Sequence, residues 1–205
     1  MANADAPFGL RPIGHPLGLS GARIRPYYIP ATYATALFVG DPVVKTGTSN
    51  TDAVDVVGTG KMQIGTMPAI SKATAGDGEA ITGVIVGFAA EPDGLGRRYS
   101  PASTAGVAYV MDDPAAEFLI QADGAIAAAQ VGLNAVLIYT NTGDTSTGQS
   151  GAELDTTSDP PAADASNQLT ILRVYEEDEN EAASAYTRVV VRINNHTEAH
   201  GAIGI

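Results

Sequence analysis

Several short stretches carry side chains that do chemistry in other settings. His196-Thr197-Glu198-Ala199-His200 sets two imidazoles four positions apart. On a helix that spacing puts both rings on one face, where they can share a zinc ion. The metalloprotease pattern, however, needs Glu directly after the first His, and here it stands two after; Gly201 and Gly204 also argue against a helix. A polar tail without metal is the expectation. Gly58-Thr59-Gly60-Lys61-Met62 contains a Gly-Lys pair. Asp55 stands where a phosphate loop needs its first glycine, and Met62 where it needs the hydroxyl that binds magnesium, so a hairpin turn is expected instead. Gly148-Gln149-Ser150-Gly151 lacks the glycine two residues after serine that a nucleophile elbow requires, and reads as a flexible loop tip. Asp112-Asp113 before Pro114 reads as a turn initiator rather than an acid/base pair. Glu176-Glu177-Asp178-Glu179-Asn180-Glu181 matches no calcium loop, and mutual repulsion should hold it in water as a hairpin tip. None of these assembles a nucleophile, a base and an orienting group. No catalytic residue, metal ligand or cofactor is expected.

The elements that must position these groups are short. From residue 35 onward, β-branched runs alternate with turn signals: Leu37–Val39, Val43–Thr46, Val54–Val57, Ala69–Lys72, Ile81–Phe88, Val107–Met111, Glu117–Gln121, Ala135–Thr140, Leu169–Tyr175 and Tyr186–Ile193. That spacing predicts an all-β body, a β-sandwich or β-barrel. In the last run Thr187, Val189, Val191 and Ile193 share one face and Arg188, Val190 and Arg192 the other. Ala125–Val131 is long enough for one short helix. Residues 141–167, rich in Thr, Ser, Gly, Asp and Pro, read as a long loop of the binding or mobile kind.

Residues 1–34 differ from the rest. They hold Pro7, Pro12, Pro16, Pro26 and Pro30, and Arg11, Arg23 and Arg25 against Asp5 alone. Proline lacks the ladder donor and fixes φ, so the segment is expected to be neither a central strand nor a helix. Its many apolar groups, Phe8, Leu17, Leu19, Ile24, Tyr27, Tyr28 and Tyr33 among them, still need a surface to bury on. The chain therefore divides into an extended N-terminal arm, 1–34, and a β-rich body, 35–205.

Composition narrows the function. Across 205 residues the net charge is −12, with no cysteine, no tryptophan and only 4 phenylalanines. A surface of that sign repels phosphate, so nucleic acid and anionic lipid are disfavoured as partners. Without cysteine there is neither a disulfide framework nor a thiol nucleophile. The first ten residues lack the basic start and apolar run of a secretory leader. Apolar runs such as Gly83–Ala90 are too short for a membrane span. From Tyr99 to Leu172 there is no Lys or Arg, against nine acids.

Taken end to end, the chain resembles the head decoration, or capsid cement, proteins of tailed bacteriophages. The resemblance rests on Ala6-Pro7-Phe8-Gly9-Leu10-Arg11-Pro12, on Tyr27–Tyr33, on Ala36–Val43 and on Ile81–Phe88. It continues through Gln121–Ala125, Gly132–Leu137 and Gly151–Asp155, so it covers nearly the full length. It implies a non-enzymatic virion protein, made in the host cytoplasm. Such a protein sits on the outer capsid surface and cements adjacent major capsid protein subunits. It further implies a homo-oligomer, a trimer favoured over a dimer. The arm, which fully extended reaches on the order of 110 Å, would then be the clamp. Phe8, Tyr27, Tyr28 and Tyr33 would be its anchors, and Arg11, Arg23 and Arg25 would pair with acids of the capsid or of a sister subunit. Two other classes remain: a tail or adhesin-like module contacting a host glycan through 141–167, and a hydrolase using carboxylates of Asp112, Asp113 or the 176–181 run.

Overall fold

A computed structural model describes residues 3–51, 53–56, 60–90 and 97–199. Among the described residues sixteen strands follow one another: β1 (Arg11–Gly14), β2 (Ile24–Ile29), β3 (Leu37–Phe38), β4 (Pro42–Ser49), β5 (Val54–Val56), β6 (Gly60–Met62), β7 (Pro68–Lys72), β8 (Gly83–Phe88), β9 (Tyr99–Ser100), β10 (Gly106–Met111), β11 (Glu117–Gln121), β12 (Asn134–Ala135), β13 (Leu137–Ile138), β14 (Glu153–Leu154), β15 (Leu169–Val174) and β16 (Arg188–Ile193). The protein is all-β. The helical residues described are two 3₁₀ turns, Leu19–Gly21 and Ala128–Gln130, the second within the stretch expected to form a short helix. No described helix is long and apolar enough to cross a membrane.

Two assemblies form the body. Strands β10, β2, β7, β4 and β8 close into a barrel, antiparallel except where β2 runs parallel to β7 at Tyr28 and Ala69. Alternation decides what fills it: Tyr27, Ile29, Val43, Ile70, Ile85, Ala108 and Val110 point inward and are buried. Their neighbours Tyr28, Ala69 and Val107 form a separate small cluster with Met67. The second assembly is a five-stranded sheet in the order β1-β11-β16-β15-β12. Phe118, Ile120, Leu169, Ile171, Val189, Val191 and Ile193 pack with Val84 and Met111 of the barrel wall into the largest core. The face expected of Thr187, Val189, Val191 and Ile193 is buried; Val190 is buried as well, opposite Leu119 on the other face.

The division into arm and body does not survive. Residues 24–29 are a full barrel strand, paired with β10 from Ile24↔Met111 to Ile29↔Gly106, and residues 11–14 edge the five-stranded sheet. The prolines permit this because of where they fall. Pro26 pairs across to Tyr109, while the ladder with β7 pairs only Tyr28 with Ala69, so its missing N–H interrupts no ladder on that side. Pro12 lies on an edge strand beside a break in register. Residues 4–10 are held too. Gly9, at φ 71, packs so closely on Gly40 and Ser150 that a Cβ would lie 2.5 Å from the Gly40 carbonyl oxygen, and the Leu10 N–H donates to that oxygen at 2.9 Å.

The 141–167 loop is likewise more ordered than expected. It contains β14, paired with β13, and a bridge from Ala122 to Leu154; Ala152, Glu153, Leu154 and Asp155 are buried. Gly58 and Thr59 lie outside the described residues, but the flanking β5 and β6 pair from Val54↔Met62 to Val56↔Gly60 as a hairpin requires.

Candidate interaction surface

Two buried aspartates organise the polar interior, and both sit where an apolar run ends. Asp112 follows β10 and is fully buried. It accepts from Arg23 Nε at 2.8 Å, from Arg25 Nε at 2.5 Å and from the Tyr27 hydroxyl at 2.6 Å. Burial and the Asp112 carboxylate push the Tyr27 hydroxyl well above its ordinary pKa, so it stays a donor. Arg25 also donates to Glu198 at 3.0 Å, and Lys45 reaches the other Glu198 oxygen at 2.7 Å. The Lys45 hydrogen bond, against the opposing effect of burial, and the one from Arg25 hold Glu198 below the usual carboxylate range. Asp41, before Pro42, accepts from the Phe38 N–H, from Ser150 Oγ at 2.6 Å and from Lys72 Nζ at 2.9 Å.

These contacts settle what the chemically suggestive stretches do. Ser150 is buried, its proton is given to Asp41, and its oxygen accepts from the Ala152 N–H, so the predicted flexible tip is a pinned crossing point. Asp113 caps the turn as expected, accepting from the Ala115 and Arg23 N–H groups. The 176–181 run is the β15–β16 tip, exposed except for Asn180, which ties it to Tyr175 and Arg188. The expected polar tail is instead packed against the barrel: His196 bridges Ile81 and is only 3% exposed. Its Nδ1 accepts from the Glu198 N–H, its Nε2 has no partner, and burial pushes the imidazole down to about 4. His200 lies outside the described residues, so its pairing with His196 does too. Among the described residues no group of three potential metal ligands occurs.

The seven expected contact residues separate into two sets. Tyr27 and Tyr28 are buried in the body, and the Tyr33 hydroxyl accepts from the Lys72 N–H. Arg23 and Arg25 do meet the acid-only stretch, but through Asp112 of their own chain. All five are tied to the body, although Arg23 and Arg25 keep 42% and 44% of their side chains exposed. Phe8 and Arg11 remain at the surface, the guanidinium 4.7 Å above the ring, on a ridge with a groove on either side.

One groove, about 420 Å³, is lined mainly by apolar groups, among them Phe8, Pro12, Leu19, Ile24, Val86 and Met111. Its rim continues onto the loop between β1 and β2. Leu17 is 78% exposed, Ile24 48% and Leu19 45%, three large apolar side chains within eight residues. Leu17-Gly18-Leu19 was the available signal: aliphatic side chains on a Pro/Gly turn have no local partner to bury against. The Asp112 and Asp41 hubs and the roles of Lys45 and Glu198 gave no such signal, because their hydrogen-bond partners lie up to 173 positions away.

No family model, curated protein or solved structure matches the chain.

Proposed function

We propose that the protein is a non-enzymatic bacteriophage head decoration protein that binds the outer capsid surface and cements neighbouring major capsid protein subunits. The observation that carries this reading is the exposed aliphatic rim of Leu17, Leu19 and Ile24 beside the Phe8–Arg11 ridge. The ridge belongs to Ala6–Pro12, the first stretch of the family resemblance. The other stretches supply its support. The Leu10 N–H donates to Gly40, the Gly40 N–H to Ile85, the Ala6 N–H to the Gln121 side chain, the Asp123 N–H to Leu154 and the Asp155 N–H to Val136, so six of the seven segments that resemble cement proteins are one connected frame. Contact is then made by a rigid face of the body rather than by a free arm. A net charge of −12 suits a surface turned away from packaged DNA. For the tail-adhesin alternative, the 141–167 loop offers no aromatic side chain against which a sugar ring would stack.

The test is location. Cryo-electron microscopy of purified virions should show the protein as a protrusion on the outer head shell. Density on the tail alone, or particles that lack the protein, overturns the reading.

A further inference from the structure

The groove under the Leu17–Ile24 rim has a chemistry that fits one kind of occupant. Its walls are aliphatic and aromatic, and Arg11 is the charged residue lining it. That guanidinium is exposed, lies over Phe8 and has no carboxylate partner among the described residues. The groove's lining thus holds a cation and no acid, in a chain whose net charge is −12. An apolar trough with a free cation at its mouth selects a segment carrying aliphatic side chains next to a carboxylate.

A second copy of this chain supplies such a segment poorly. A two-fold contact through the groove sets rim against rim, with like charge on both sides. Away from the rim, the exposed large apolar side chains among the described residues are Ile64 and Val131. Ile64 stands near Lys61 and beside Gln63, and Val131 between Gln130 and Gly132, so neither is next to an acid. We infer that the groove is the docking site for an extended, aliphatic and acidic segment of a different protein, with Arg11 reading the carboxylate and Leu19 and Ile24 closing over the aliphatic side chain. This deepens the proposed function by giving the contacted partner a chemistry, and it rests on that reading only for the partner's place in the virion.

The experiment is a selection of yeast-displayed random dodecapeptides against the full chain, followed by binding of the selected peptides to variants. The expected result is enrichment of sequences joining Leu, Ile or Val to Asp or Glu. Leu19→Ser and Leu17→Ser should each weaken binding about tenfold or more. Arg11→Glu should abolish it and, in a repeat selection, enrich Lys or Arg in place of the acids. Ile64→Ser, at an exposed aliphatic that does not line the groove, should leave binding unchanged. All four positions are exposed, and thermal melting of each variant checks that folding is retained. The inference is overturned by no enrichment, by sequences without acids, or by peptides indifferent to Arg11→Glu. Photocrosslinking from a benzophenone at position 19 to another copy of the chain overturns it as well, since the occupant is then the protein itself. None of these outcomes depends on where the protein sits in a virion, so the two readings fail separately.

Discussion

His196 is where the molecule should be most sensitive to acid. The ring is buried, its Nε2 is unpaired, and Asp112, Asp113, Glu198 and Arg23 surround it. Desolvation outweighs the attraction of the three carboxylates and holds the folded-state value at about 4, below the ordinary 6.5. The folded chain therefore binds fewer protons than the unfolded one between those values. Stability from this group is complete above pH 6.5 and is lost as the pH falls toward 4, by up to about 3 kcal/mol. Glu198 works in the same direction but lower, below the ordinary carboxylate value. Urea unfolding between pH 7 and 4.5 should show the decline, and His196→Gln should flatten it. A wild-type midpoint constant across that range would mean that the ring is not held neutral by the fold.

At the scale of elements, the decisive strand is β2. Residues 1–34 read as an arm because five prolines argue against a ladder; the closed barrel shows that a strand tolerates Pro26 where its proline side has no partner. Deleting 1–34 removes β1 from the sheet edge and opens the barrel between β10 and β7. The truncated chain is expected to lose its cooperative unfolding transition altogether; a sharp melt from the truncated protein would restore the arm. Other elements were legible because they follow rules local in sequence. Val189, Val191 and Ile193 alternate, and the charged 176–181 run must face water. What stayed hidden depends on distant partners. Nothing in Gly148–Gly151 announces that Ser150 lies against Asp41, 109 positions away, and nothing in Asp112-Asp113 separates a buried hub from a turn cap. Phe8 and Arg11 stay at the surface, whereas Tyr27, Tyr28 and Tyr33 have the same composition signal and serve the core.

For the whole molecule, charge and packing pull in opposite directions. A core without tryptophan gains from apolar surface buried between copies, while −12 on each copy repels. We expect a trimer whose population rises with ionic strength, because salt screens the repulsion and leaves apolar burial intact. Light scattering at micromolar concentration, at 0.01 M and 0.3 M salt, should give a mass near three times 20.9 kDa at the higher salt. A monomer under both conditions refutes this. If the groove takes a different protein, as inferred above, Leu19→Ser should leave the trimer intact.

The order of strands along the chain also has a consequence for synthesis. Every barrel strand lies between Ile24 and Met111, so a chain still attached to the ribosome carries the complete barrel long before its end emerges. The sheet is different. Its middle strand, β16, is the last of the described strands and lies between β11 and β15. Until Arg188–Ile193 is delivered, those two strands have unpaired edges toward the gap, the kind of surface on which chains aggregate. A product cut short before that point holds a closed barrel beside an unfinished sheet. Proteases and chaperones of the cell that makes it can recognise such a chain, and the fold thereby marks incomplete copies for removal.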